Sequence, residues 1–177
     1  MMSEPGRHMI RIDRKPQLFS FRVAGLIFRD GYLLAQRAVK DDYWALPGGR
    51  AEIGESSQET ILREMREELH RDVRIERLLW TVESFFAYEG YAAHELGFYY
   101  LLSMDEDFPF HETDIVHRIV DGLEVEFRWL RATPSALVGD RLKPQFIADH
   151  IDRLPAAVQH VVIREGVSRQ AETETEA

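Results

Sequence analysis

Hydrophobic and polar positions divide this chain into short alternating stretches and one longer stretch of helical period. From Leu18 to Phe28 (LFSFRVAGLIF) the run alternates and is rich in Phe, Val and Ile, the pattern of a strand. Asp30-Gly31 is a hairpin signal, and Tyr32 to Arg37 returns as a second strand. After Ser57 the period lengthens: Ile61, Leu62, Met65 and Leu69 form one apolar stripe roughly 100° wide on a helical wheel. Val73 to Phe86 reads as a strand followed by a loop, Tyr88-Glu89-Gly90-Tyr91 as a turn, and His94 to Ser103 as a buried strand. Val125 to Leu130 is a last central strand. Pro134 and Pro144 each open a helical pattern, the second with an apolar face of Phe146, Ile147, His150, Ile151 and Leu154. Gln159 to Ile163 fits a short edge strand. No internal repeat or interdomain linker interrupts the series, so the pattern predicts an α/β protein with a mixed sheet between helices.

The helix predicted from Ser57 carries the candidate chemistry. Ser56 with Glu59 three residues later reads as a capping box. Near the other end, Glu64, Glu67 and Glu68 stand at i, i+3 and i+4, so their carboxylates can converge on one patch. Like charges at four-residue spacing repel, and carboxylates in a last turn oppose the helix dipole. Convergent carboxylates form a hard-oxygen site for Mg²⁺ or Mn²⁺, and a bound cation removes both penalties. Glu64 and Glu68 border the apolar stripe, where a half-shielded carboxylate needs a partner. The rival reading is a surface helix laced by Arg63 to Glu59 and Glu67. Upstream, Leu46-Pro47-Gly48-Gly49 is a turn whose glycines permit close approach of backbone to a ligand, so the Gly48 carbonyl could face a metal.

Gly49, five residues, Glu55, seven residues, and then Arg63-Glu64-Met65-Arg66-Glu67-Glu68 resembles the Nudix box of the Nudix hydrolases. The resemblance runs from Gly49 to Arg71 and departs at its end, with His70 where the family has glycine and Arg71 where it has an aliphatic residue. It implies an α/β/α sandwich and a single Nudix hydrolase domain over residues 1–165, of which 1–16 could be flexible, followed by a disordered polar tail over 166–177. It further implies that Glu64, Glu67, Glu68 and the Gly48 carbonyl bind Mg²⁺ or Mn²⁺, that Glu64 and Glu68 act in catalysis, and that Gly49, Glu55 and Arg63 support the site. The reaction implied is hydrolysis of a nucleoside diphosphate linked to another group, with water attacking phosphorus. A catalytically silent Nudix-fold binding or regulatory module is the alternative, although such a module would be expected to lose box glutamates, which this chain keeps.

Composition narrows these readings. The chain has 177 residues, enough for one sizeable core, and no cysteine, which excludes disulfides, thiolate zinc sites and a cysteine nucleophile. No run of about 18 apolar residues occurs, and a cytoplasmic protein without membrane association is the default expectation. A net charge of −9 argues against broad nucleic-acid binding and fits a small nucleotide-type substrate bridged by cations; a homodimer is compatible with it. Ser103 to Gly122 is long for a loop in a compact domain, and Glu112 within it is a candidate base delivered by a lid or else part of a solvated acidic loop. Arg37, Arg50 and Arg128 are candidate phosphate contacts by charge, and Tyr88 a candidate for stacking on a base. Sugar-nucleotide, free-nucleotide and dinucleotide substrates all remain open.

Overall fold

The computed structural model describes residues 8–105, 108–120 and 122–166. Along the chain run β1 (Arg11–Arg14), β2 (Gln17–Arg29), β3 (Tyr32–Ala38), β4 (Trp44–Ala45) and β5 (Gly48–Arg50), then α1 (Ser57–Leu69). The long strands β6 (Arg74–Tyr88) and β7 (Tyr91–Ser103) follow, then β8 (Ile115–Val120), β9 (Leu123–Arg131), α2 (Pro134–Gly139), β10 (Leu142–Lys143), α3 (Phe146–His150) and β11 (Gln159–Glu165). The described strands join in one mixed sheet with the path β10-β4-β3-β2-β7-β6-β11; β1 and β5 add to the edge of β2, and β8 extends β9 beside β3. β2 and β7 are parallel over 11 register pairs, from Gln17↔Ala92 to Ile27↔Leu102, whereas β6 and β7 form an antiparallel hairpin.

Strand alternation sends two sets of side chains to opposite faces. On one face Val23, Ile27, Leu34, Tyr100, Leu102 and Phe127 meet Ile61, Met65 and Leu69, the apolar stripe of α1. On the other, Ala24, Leu26, Leu33, Ala35, Trp80 and Tyr99 meet Leu137 of α2 and Phe146, Ile147 and Ile151 in and after α3. The result is the α/β/α sandwich anticipated from the pattern. Among the described residues no helix is long and apolar enough to cross a membrane.

The segment after Ser103 departs from expectation. Ile115–Val120 is a strand paired with β9, and Phe108 is only 1% exposed in the core beneath it. Trp129 Nε1 donates to the Pro109 carbonyl at 3.0 Å, and Arg29 donates to that of Phe108 at 3.0 Å, so the segment is strapped to the sheet. An Asp121-Gly122 hairpin signal was concealed by β8 being half exposed and poor in large core residues. β6 likewise continues to Tyr88 instead of breaking near Phe86, and β1 orders residues 11–14 within the lead expected to be flexible. Residues 1–7, and the expected tail beyond Gly166, lie outside the described residues.

α1 approaches β2 closely at Gly25. A Cβ there would overlap Leu102 Cδ1 and stand 3.6 Å from Ile61 Cδ1, both in the packed core. Gly25→Val is therefore expected to destabilise the fold by about 1–3 kcal/mol through overpacking. Urea unfolding measures this, and an unchanged midpoint would show that α1 does not depend on that contact.

Candidate active site

α1 is anchored at both ends. The Ser56 Oγ accepts from the Glu59 N–H at 3.2 Å, and the Glu59 carboxylate accepts from the Ser56 N–H at 2.7 Å, which completes the capping box. Glu59 is thereby engaged with the cap and not with Arg63. At the other end His70 adopts a left-handed conformation (φ 54°, ψ 40°) and its N–H donates to the Arg66 carbonyl. Histidine thus takes the backbone shape for which glycine is usual, helped by Arg118, whose Nη1 lies 3.1 Å from His70 Nδ1.

Arg63 organises the acidic groups. Its Nε and Nη2 clasp Glu55 at 2.7 and 2.9 Å, a bidentate pair, while Nη1 donates to Glu64 at 2.6 Å and Glu67 at 3.1 Å. Nη2 also donates to the Arg50 carbonyl at 3.1 Å, tying the loop before α1 to the helix itself. These bonds, with the Arg63 hydrogen bond as the largest cause, hold the Glu55 pKa below its ordinary value.

Glu68 lies on the inner side of the same helix turn and is 5% exposed. Its Oε2 accepts from the Gly48 N–H at 2.9 Å and its Oε1 from Gln36 Nε2 at 3.0 Å. Gln36 Nε2 is also 3.5 Å from the Gly48 carbonyl. Gly48 itself has φ 140°, and a Cβ there would run into the Val23 carbonyl; at Gly49 a Cβ would occupy the space of the Glu64 carboxylate. Gly48 thus lets β5 lie close against β2, and Gly49 lets it lie close against Glu64. Burial, and then the charge of Glu64, push the Glu68 pKa up to about 8, against the pull of its hydrogen bonds and of Arg22. Burial also raises the Glu64 pKa, opposed by Arg63.

Three carboxylates and a backbone carbonyl form a hard-oxygen donor set, and a buried carboxylate with a raised pKa is a group that a cation would favour; the residues present fit Mg²⁺ or Mn²⁺. Among the described residues no three acidic or histidine side chains already stand as a closed cation cluster, because Glu64 and Glu67 are turned to Arg63 and Glu68 to Gln36 and Gly48.

The remaining candidates divide. Arg50 lies beside the glycines, register partner of Arg22 on β2, and its buried Nε has no hydrogen-bond partner among the described residues. Burial, then the charges of Arg11 and Arg22, lower its pKa. Tyr88 is exposed at the end of β6, within electrostatic range of Arg50. Arg37 is paired with Glu126 at 2.7 Å and lies over the Trp44 ring at 4.6 Å, and Arg128 lies 3.9 Å from Asp140 after α2; neither contacts the box glutamates. Glu112 accepts from the hydroxyl of Tyr32, whose Cα lies four residues along β3 from that of Gln36, about 13 Å at strand spacing. In this structure Glu112 is bonded to Tyr32 and not to the box glutamates.

Arg22 and Gln36 were passed over in the sequence. Arg22 donates to the Leu46 carbonyl at 3.1 Å. Burial lowers its pKa, but Glu95, Tyr99, Glu68 and Glu64 around it raise it overall. The available signal was a lone arginine in an apolar strand and a glutamine closing the LLA run of the next.

The Glu68 shift has a sign. Its folded pKa, about 8, lies above the ordinary carboxylate value of 4.5, so the native state holds a proton that the unfolded chain releases. Metal-free stability is fully present below about pH 4.5 and lost as pH rises toward 8. Urea unfolding in chelator between pH 5.5 and 8.5 is expected to show this decline, and Glu68→Gln to flatten it. An equal slope in the variant would assign the decline to another group. Glu112→Gln, at a side chain bonded to Tyr32 at the far end of β3, is expected to leave turnover close to wild type; a large loss would mean that the segment brings Glu112 to the site.

Comparison with known proteins places the fold and the family. The NUDIX domain pattern matches residues 19–139. A putative ADP-ribose pyrophosphatase of Bacillus subtilis is 40% identical over 62 residues, covering 35% of this chain and 30% of that protein. A CTP pyrophosphohydrolase of Escherichia coli (strain K12) is 47% identical over 51 residues, 27% of this chain and 38% of that one. The match thus spans only about a third of the length of these relatives. The crystal structure of a UDP-X diphosphatase superposes with a TM-score of 0.58 at 21% identity, over 80% of this chain and 66% of that one, a likeness of fold. With the pattern covering more than half of its residues, this chain belongs to the NUDIX family.

Proposed function

We propose that this protein is a divalent-metal-dependent hydrolase that cleaves a phosphoanhydride bond in a nucleoside diphosphate linked to another moiety, with water attacking phosphorus. The observation that carries the reading is the buried Glu68 carboxylate, held beside Glu64 beneath the Gly48-Gly49 strand. A fold seeking only stability gains nothing from an ionisable group there, since burial disfavours its charge. The names of the relatives, an ADP-ribose pyrophosphatase and a CTP pyrophosphohydrolase, support the same reaction class.

In this reading Glu64, Glu67, Glu68 and the Gly48 carbonyl hold Mg²⁺ or Mn²⁺. When bound, such an ion lowers the pKa of water and neutralises charge on the phosphoryl oxygens. Arg63 keeps Glu64 and Glu67 oriented through the Glu55 clasp. Arg50, buried and unbonded at Nε, and Arg22 beside it supply positive charge for the diphosphate. Glu64 is the first candidate for the base, because it borders the site beside Glu68 and burial raises its pKa. Residues 1–165 would then act as one catalytic domain on a small nucleotide-type substrate in the cytoplasm. The second reading, a silent nucleotide-binding or regulatory module, is favoured by one observation: Arg63 already occupies Glu64 and Glu67.

A panel of nucleoside-diphosphate derivatives assayed with Mg²⁺ and with Mn²⁺, with product analysis, separates the two. Glu68→Gln is expected to cut turnover by orders of magnitude while the protein stays folded. Saturating metal is expected to raise the melting temperature, by linkage worth about 2.7 kcal/mol at a hundredfold excess over Kd. Wild-type turnover in Glu68→Gln would sink the catalytic assignment, and a melting curve indifferent to both metals would favour the silent module.

A further inference from the structure

Gln36 is more deeply buried than a polar strand residue needs to be, and half of its hydrogen-bonding capacity is unused. It is 8% exposed on β3, in register with Ala45 of β4 and Phe127 of β9. Its Nε2 donates to Glu68 Oε1 at 3.0 Å and stands 3.5 Å from the Gly48 carbonyl oxygen. Its Oε1 is buried with no hydrogen-bond partner among the described residues. An amide retained only to shield Glu68 would be expected to find a donor for its own oxygen, since buried polar groups are almost always bonded.

The two oxygens that share Nε2 belong to Glu68 and Gly48, two of the groups assigned above to the cation. The NH₂ group carries partial positive charge toward both, as a cation between them would. A half-turn about the last torsion of Gln36, which is soft, exchanges Nε2 and Oε1. In its present position Oε1 meets no donor among the described residues, so hydrogen bonding on that side does not hold the amide as it stands. What decides is the near side. Where Glu68 is ionised, Oε1 facing Glu68 and Gly48 would bring three oxygen acceptors together, which is repulsive without a cation and a hard-oxygen donor set with one.

We propose that Gln36 is an amide switch of the metal site: it donates to Glu68 and Gly48 while no cation is bound, and turns its Oε1 to become an oxygen ligand when one is. This rests on the metal-dependent reading above and adds to it a ligand from outside the box helix and its glycine strand. It also accounts for glutamine at a position whose strand neighbours, Leu34 and Ala35, are buried and apolar.

Mn²⁺ binding without substrate, followed by calorimetry in wild type, Gln36→Met and Gln36→Glu, tests the proposal. Methionine keeps the volume and removes both functions; glutamate keeps the oxygen and removes the donor. Gln36→Met is expected to weaken Mn²⁺ binding about 10–100-fold. Gln36→Glu is expected to bind Mn²⁺ more tightly than wild type, yet to melt at a lower temperature when metal-free. Any other order of the three affinities overturns the proposal; equal weakening in both variants would leave Gln36 as a donor only. Should a variant not fold, the wild-type protein labelled with ¹⁵N-glutamine supplies the answer. The Gln36 side-chain NH₂ resonance must shift and lose its hydrogen-bonded character at saturating Mg²⁺. Bound metal with an unmoved resonance overturns the switch alone, whereas no metal binding by wild type overturns both the switch and the reading beneath it.

Discussion

Burial of one carboxylate governs this site. Glu68 comes from the inner side of α1 and ends beneath the sheet edge, where water cannot solvate it. Taking a carboxylate out of water costs several kcal/mol unless other groups replace the solvent. Here the replacement is neutral: the Gly48 N–H and the Gln36 amide. That requirement explains several otherwise separate features. The Gly48 N–H is placed for Glu68 by a strand packed so closely on β2 that a Cβ at Gly48 would strike the Val23 carbonyl. β3 interrupts its apolar run with glutamine for the same reason.

The charges further out are handled differently. Glu55, Glu64 and Glu67 share the single guanidinium of Arg63, whose planar fork can serve several acceptors at once. The clasp on Glu55 uses two donors, which leaves Arg63 attached to the loop even where a cation competes for Glu64 and Glu67. Together with the bond to the Arg50 carbonyl it fixes β5 against α1. The arginine side of the site is thus held by several charge-assisted bonds, and the inner side by the two neutral donors to Glu68.

Much of this was legible before the structure. The helix, its capping box and the convergence of Glu64, Glu67 and Glu68 are local patterns, and local patterns follow from spacing along one element. Strands β2, β3, β7 and β9 were legible because their apolar residues are buried on at least one face. β8 was not, since its alternation is of half-exposed residues and its partner lies across a turn. The short strands β4, β5 and β10 have two or three residues each, too few to show a period. The position of Glu112 was not legible because it depends on Phe108 and Trp129 strapping the segment to the far end of β3, a tertiary contact with no local signature. Arg22 and Gln36 belong to the same class: their neighbours at the site come from other elements, and only the register brings them together.

Register also gives the site its electrostatic shape. Glu64 and Glu68 approach from α1, while Arg22 and Arg50, opposite each other on β2 and β5, bring positive charge from the sheet, close enough for Arg22 to feel both glutamates. The two groups do not neutralise each other by contact, for the Arg50 Nε is unbonded among the described residues and Glu68 is bonded only to amides. A lone cation would suit the glutamates and add to the repulsion among the arginines. A lone anion would do the reverse. A ligand that presents a divalent cation and a diphosphate together complements both sides at once, and its two halves reduce each other's desolvation as they enter. That pairing of opposite charges, set by which strands lie side by side, is the strongest physical support for the proposed metal–nucleoside diphosphate substrate.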